Sequence, residues 1–361
     1  MNPLRTTDSI ADALAQAAKN WLAPDSKWRA RAVAEAPGPT GFSPEMVNEA
    51  VTLTFGALTR EALSKFIAPA NAPRRITHIL SGNVPAPGIG SICRGLLLNA
   101  VNLVKCSHRD PVFPTLFVES LREVDTELAS RVTAVHWPRE DTGRTQAALA
   151  NAEAVIAYGD DDSIASLRAL TPAAAQFFSY GHKVSFAIVG REALPDGDLP
   201  VLAAFDASVY DQQGCMSPHA FFVEGNAREF AAALAAAMAT YETRVPRGRL
   251  SVEEAALAAQ VRAIYEFRSA NDRRVAIWNS KPPHPWTVIY DENPSFTPSC
   301  LNRTVFVKPL CTLDAMQALA GKVSTVGVAP WNDRLRSLSG KLPERVCPIG
   351  QMQRPPLSFI G

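Results

Sequence analysis

Between residues 75 and 189, short apolar runs alternate with helix-patterned segments, and this restricts the fold more than any other feature of the chain. Ile76 to Gly82, Val101 to Lys105, Ala134 to Trp137 and Ala154 to Gly159 read as strands. Ile92 to Ala100, Pro114 to Leu128, Thr142 to Asn151 and Asp162 to Leu170 read as the helices that follow them. Ala86 to Ser91 is a Pro/Gly loop, and Phe177-Phe178 and Ser185 to Val189 add two short apolar segments. A strand-helix alternation buries its apolar faces in an open, doubly wound parallel sheet with helices on both sides, an α/β fold.

The flanking regions differ. Residues 1 to about 70 read as helical, with a loop from Ala36 to Ser43 and a helix opened by Ser43 and Pro44. Beyond Leu199, helices over Pro200 to Ser208, Asn226 to Tyr241, Val252 to Ser269 and Leu313 to Ala320 alternate with strands. These strands lie at Ala220 to Val223, Val288 to Tyr290, Thr304 to Val307 and Val323 to Val328. The expected organisation is a helical region over 1–70 and a nucleotide-binding domain over 71–205. A second α/β catalytic domain follows over 206–330, and a tail over 331–361 returns to the first.

Composition removes several classes. The 36 basic and 35 acidic residues leave a formal charge of +1, against the basic excess of a nucleic-acid binder. An apolar content of 47% argues against disorder. The six cysteines, at 93, 106, 215, 300, 311 and 347, form no C-x-x-C pair and are expected as reduced thiols. Asp8 and Asp12 in the first nineteen residues oppose a signal peptide, and no apolar run reaches the ~18 residues of a membrane span. The expectation is a cytoplasmic enzyme.

Among the residues that could carry chemistry, Cys215 stands out. It follows Gly214 in a loop between a helix and a strand, where a thiol can be activated as a nucleophile; a buried inert cysteine is the alternative. The other five cysteines are expected as core fillers. Gly88-Ile89-Gly90-Ser91-Ile92-Cys93 lacks the third glycine of a dinucleotide fingerprint and the Lys-Ser/Thr of a phosphate loop. The six histidines lack metal-ligand spacing, so no metal is expected. Lys105 and Arg109 flank Ser107 at a strand end, where they could hold a phosphate or form a solvated basic turn. Lys183 is a turn residue or a substrate contact.

Five segments in order carry a resemblance: Ser81-Gly82-Asn83-Val84-Pro85, Lys105-Cys106-Ser107, Tyr158-Gly159-Asp160-Asp161, Tyr180-Gly181-His182-Lys183 and Gln213-Gly214-Cys215. With Gly350 to Leu357, this set resembles the aldehyde dehydrogenase superfamily. More narrowly, it resembles the LuxC family of acyl-CoA reductases, the fatty-acid reductases of bacterial bioluminescence. The resemblance runs from about residue 75 to the C-terminus. It implies an aldehyde-dehydrogenase-like fold with a Rossmann-type cofactor domain and a second catalytic domain. Cys215 then matches the nucleophile that forms an acyl thioester. Asn83 matches the side-chain amide that, with the Cys215 N–H, holds the oxyanion. Lys105 matches the lysine at the adenosine ribose, with Ser107 and Arg109 beside it. Gly159 and Asp160 match the loop that receives the cofactor's phosphates or nicotinamide half.

Two departures refine what the resemblance implies. Hydrolytic members carry a glutamate in Glu-Leu-Gly-Gly-Lys that activates water, whereas Ser179 stands in that place here. An acyl-enzyme without that base survives to be reduced. Many NAD-preferring members place a glutamate three residues after the lysine. Here that residue is His108, which would not repel a 2′-phosphate, so NADPH is the expected cofactor. The expected reaction is reduction of an acyl thioester, such as acyl-CoA, to an aldehyde, by a homo-oligomer. Two rival readings stay open: a cysteine acyltransferase or thioesterase without hydride transfer, and a reductase subunit that needs an acyl-activating partner.

Overall fold

A computed structural model describes residues 5–69, 71–86, 88–311, 319–338, 340 and 342–357. The chain divides into two compact units. One runs to His182 and takes back the segment from Pro356; the other spans Lys183–Pro355.

The first unit opens with helices α1 (Thr7–Leu22), α2 (Lys27–Glu35), α3 (Pro37–Thr40), α4 (Pro44–Gly56) and α5 (Arg60–Ser64). In α1, Ile10, Leu14, Ala17 and Trp21 recur at helical spacing and are fully buried. Trp21 stacks on Phe55 at 4.2 Å and donates its indole N–H to Ser120 at 2.8 Å. The loop expected from Ala36 to Ser43 contains α3. Pro37 starts this single turn and Gly41, at φ +82°, ends it.

Five parallel strands follow: β1 (Arg75–Ile79), β2 (Val101–Lys105), β3 (Val132–Val135), β4 (Ala154–Tyr158) and β5 (Gln176–Tyr180). Their order is β3-β2-β1-β4-β5. The chain builds outward from β1 to β3, then crosses back to place β4 on the other side of β1. This reversal makes a crevice at the carboxyl ends of β1 and β4, the position where such sheets bind ligands. Helices α6 (Gly88–Leu97), α7 (Val112–Val124), α8 (Thr126–Ala129), α9 (Thr142–Ala150) and α10 (Asp161–Leu170) fill the connections.

Three boundaries differ from the sequence pattern. Helix α6 starts at Gly88, inside the expected loop, because glycine lets the helix rest on β1. A Cβ there would meet Leu80 Cδ1 at 2.4 Å. The expected helix over Pro114 to Leu128 breaks at Asp125, which is extended and caps α8 by accepting from Leu128 N. Strand β3 lies two residues earlier than expected. Trp137 leaves it to donate to Thr145 at 3.0 Å. Inside the unit His78 is fully buried, with Nδ1 2.9 Å from Ser91 Oγ and Nε2 3.0 Å from Asn102 Oδ1. Burial depresses this imidazole to about 4.

The second unit holds β6 (Val184–Val189), α11 (Leu199–Ser208), β7 (Pro218–Val223), α12 (Ala227–Arg244), α13 (Val252–Asn271), β8 (Val275–Asn279), β9 (Thr287–Asp291), β10 (Thr304–Pro309), β11 (Val323–Ala329), α14 (Asp333–Leu338) and β12 (Pro343–Pro348). The sheet order is β12-β11-β6-β7-β10-β9-β8, parallel except for the β8–β9 pair. Phe221, Val223, Val305 and Val307 pack with α11 and α12 residues on one face. Phe186, Ile188, Phe222 and Phe306 fill the other. Central strands buried on both faces read as continuous apolar runs, which is why β6, β7 and β10 were visible in the sequence. Edge strands β8 and β12 and short α14 were not; β12 begins and ends in proline. The helix expected over Leu313 to Ala320 lies, for residues 313–318, outside the described residues. Among the described residues no helix is long and apolar enough to cross a membrane.

Candidate active site

In the second unit, Cys215 sits on the loop between α11 and β7, with its surface open to solvent. Its carbonyl accepts a 2.7 Å hydrogen bond from Ser185 Oγ at the start of β6. The same hydroxyl accepts from Thr325 N of β11 at 3.1 Å, so one fully buried serine ties the loop to two strands. Crowding by protein atoms raises the Cys215 thiol above its ordinary value. A hydrogen bond with Ser324 and the Lys183 ammonium pull it down, and Glu344 pushes it up. Lys183 and Glu344 form an ion pair with each other, so the Lys183 side chain is held rather than solvated.

The C-terminal segment seals this loop from behind. Buried Asp206 of α11 accepts from Gly350 N at 2.5 Å and from Met352 N at 3.2 Å. Gln353 donates to Ser217 Oγ at 3.0 Å, two residues after Cys215. Arg345 donates to the carbonyls of Met352 and Gln351 at 2.7 and 2.6 Å. Gly350 has φ +89°, and a Cβ there would meet Leu202 at 2.8 Å. His219 is buried, its Nδ1 accepting from Ser299 N at 3.0 Å.

In the first unit, Asn83, Lys105, Ser107, Arg109, Gly159 and Asp160 all lie at or just beyond the carboxyl ends of β1, β2 and β4. The two central turns meet closely. A Cβ at Gly82 would stand 2.6 Å from both Ser107 Oγ and Arg109 Cβ. Asn83 is exposed, and Ser81 Oγ donates to its Oδ1 at 2.7 Å, which fixes the orientation of the carboxamide. Lys105 is half-buried, its ammonium 5.7 Å from the centre of the Trp137 ring. Desolvation lowers it, the Cys106 thiol raises it and Arg139 lowers it. His108 and His136, from neighbouring strand ends, are 5.7 Å apart. Asp110, two residues ahead of α7, accepts from Ala86 N and Phe113 N at 3.1 Å each, and burial lifts it to about 6.

The β4 turn has a different character. Gly159 N donates to Tyr180 O at 3.3 Å. Asp160 caps α10 by accepting from Ser163 N at 2.7 Å, and Asp161 and Asp162 follow in the first turn. Three carboxylates suit the positive end of a helix dipole and leave it with no attraction for phosphate. Lys105 and Arg109 stand after β2, and Arg139 pairs with Asp160 at 3.8 Å.

Gly90 faces open space, whereas Gly88 and Ile89 serve packing. So does Gly95, where a Cβ would fall 1.9 Å from Asn102 Oδ1, inside the His78 network. Of the five cysteines expected as core fillers, Cys93, Cys106 and Cys347 are buried, and burial pushes their thiols to about 12, 11 and 12. Cys300 is only half-buried and Cys311 is exposed, because both lie in segments that flank strands rather than in the core. Residues around Cys215 that sequence reasoning passed over are Ser185, Ser324 and Glu344. A hydroxyl opening the otherwise apolar run Ser185-Phe186-Ala187-Ile188-Val189 was a usable signal, since a buried polar group needs a partner.

The family model of the acyl-CoA reductases (LuxC) matches residues 70–356, most of the chain. The chain belongs to the LuxC family. A long-chain acyl-protein thioester reductase of Aliivibrio fischeri is 27% identical over 271 residues, 72% of this chain and 54% of that protein. One of Vibrio harveyi is 27% identical over 266 residues, 71% and 54%. The chain thus spans about half the length of the curated relatives it matches. Among solved structures, an oxidoreductase from Marinobacter aquaeolei superposes with a TM-score of 0.75 at 13% identity, over 97% of this chain and 79% of that one. An NAD-dependent benzaldehyde dehydrogenase from Corynebacterium glutamicum gives 0.71 at 13%, over 97% and 83%. The LuxC chain therefore has the aldehyde-dehydrogenase fold, as expected.

Proposed function

We propose that the chain reduces an acyl thioester to an aldehyde through an acyl-enzyme on Cys215, with NADPH as the reductant and acyl-CoA as a substrate. The observation that carries this reading is the exposed Cys215, its carbonyl fixed by Ser185, in a chain of the LuxC family. Its relatives' description as thioester reductases supports the same chemistry.

The Cys215 sulfur attacks the thioester carbonyl, the carbonyl electrons move onto oxygen, and their return expels the CoA thiolate. Asn83 and the Cys215 N–H serve as donors to the oxyanion, a contribution of about 3–4 kcal/mol for one such group. Burial raises the Cys215 thiol, and Ser324 and the Lys183 ammonium offset part of that rise. Ser179 in place of a carboxylate leaves water without a base, so the acyl group stays on sulfur. NADPH, when bound, supplies the hydride that reduces the acyl carbon.

The first unit is the proposed cofactor unit and the second the nucleophile unit. Donors at the first sheet edge fit an anionic ribose: Lys105, Ser107 and Arg109 would hold it, with His108 offering no carboxylate against a 2′-phosphate. Gly159 and Asp160 would contribute backbone groups rather than charge, given the acidic start of α10.

The test is NADPH consumption by the full chain with acyl-CoAs of graded length, with the aldehyde trapped, in parallel with Cys215→Ala. Aldehyde from the wild type alone supports the reading, and aldehyde from the variant overturns it. Acylated Cys215 without NADPH consumption would point to acyl transfer instead.

A further inference from the structure

The turn leading into Cys215 has an uncommon backbone. Tyr210, Asp211 and Gln212 have φ of +55°, +52° and +64°. A second run does the same: Leu301, Asn302 and Arg303 have φ of +62°, +56° and +61°. Residues with a Cβ visit this region singly at a cost, and three in succession without a glycine form a left-handed turn that no short peptide would keep. Such a conformation persists only where the surroundings impose it.

The two turns impose it on each other. Asp211 Oδ1 accepts from Arg303 Nε at 2.9 Å and forms an ion pair with Nη2 at 2.8 Å, and its Oδ2 accepts from Gly248 N at 2.9 Å. Arg303 also donates to Val245 O at 2.9 Å and to Glu242 at 2.5 Å. Its side chain is only 1% exposed, so it reaches no substrate. Gln213 Nε2 donates to Asn302 Oδ1 at 2.7 Å. Ser299 Oγ donates to Gln212 Oε1 at 3.4 Å, and Gln212 Nε2 donates to Pro218 O at 2.8 Å. That last bond closes the base of the five-residue loop, 213–217, that carries Cys215.

We infer that Arg303 and Asn302 are positioning residues for Cys215, holding its loop through Asp211 and Gln213; this rests on Cys215 being the nucleophile. A guanidinium is suited to the task because its planar fork presents donors at fixed angles, here to Asp211, Glu242 and the Val245 carbonyl. Small displacements of a reacting group are costly to rate, so the effect appears in turnover more than in substrate affinity.

The experiment uses the full chain and two readouts. One is alkylation by iodoacetamide, as the ratio of Cys215 to Cys311, which is also exposed and serves as an internal reference. The other is kcat and KM with acyl-CoA and NADPH. Asn302→Ala removes the acceptor without stranding a charge, and Asp211→Asn with Arg303→Met removes both partners of the buried pair. In each, the alkylation ratio should change by about threefold or more, and kcat should fall by about tenfold or more at nearly constant KM. Asn302→Asp keeps the acceptor and should restore both. Folded variants with an unchanged ratio and unchanged kcat would overturn the inference. If the double variant does not fold, the Asn302 pair decides. A wild type that reduces no acyl-CoA, yet whose ratio responds, would sink the proposed reaction while the positioning role stands.

Discussion

Ser185 Oγ lies 2.7 Å from the Cys215 carbonyl oxygen and 3.1 Å from Thr325 N, so a single hydroxyl joins the Cys215 backbone to both β6 and β11. Replacing it strands a partly buried carbonyl and a buried N–H together. Ser185→Ala should therefore cost about 1–3 kcal/mol of stability. Urea denaturation checks this, and an unchanged midpoint would show that the two groups find other partners.

Asn83 presents a fixed carboxamide on the exposed turn after β1. If it is an oxyanion donor, Asn83→Ala should lower kcat by about 10²–10³-fold. The circular dichroism spectrum should stay unchanged, because the residue is exposed. A rate within a few-fold of wild type would remove it from the mechanism.

Cofactor choice should turn on the residues after β2. His108→Glu introduces a carboxylate where a 2′-phosphate would sit. It should shift the ratio of kcat/KM for NADPH over NADH by about tenfold or more toward NADH, the factor that 1.4 kcal/mol of repulsion gives. An unmoved ratio, measured with one acyl-CoA at fixed pH, would place the phosphate elsewhere.

His78 gives a pH signature. Its folded value near 4 lies below the ordinary 6.5, so its stabilisation is full above about pH 6.5 and is lost as pH falls through 4. The amount is about 3 kcal/mol. Asp110 and Asp206, raised to about 6 and about 7, act in the opposite sense: their contribution is full below the ordinary 3.8 and is lost as pH rises through 6 to 7. The comparison of wild type with His78→Gln between pH 7.5 and 4.5 isolates the histidine. The variant should lose less stability over that range, and parallel curves would refute the assignment.

The β-α-β alternation was legible because β1, β2 and β4 are short apolar strands flanked by amphipathic helices, and both patterns survive in one dimension. The loop position of Cys215 was legible from Gly214 and the helix and strand on either side. Its supports were not. Ser185 is thirty residues away in sequence and Thr325 one hundred and forty from Ser185, and only the strand order makes them neighbours. The left-handed turns left no trace either, because Tyr210, Asp211 and Gln212 include none of the glycines that usually announce a positive φ. Cys311 was misjudged because residue type predicts burial only on average.

Asp211 and Arg303 are ninety-two positions apart yet form one interlocking part. Any exchange of sequence blocks between related reductases whose crossover falls between them would separate two halves that had been fitted to each other. Chimeras joined at that interval would inherit the first sheet from one parent and still mis-set the thiol, whereas crossovers ahead of Asp211 or beyond Arg303 would carry the matched pair across as a unit.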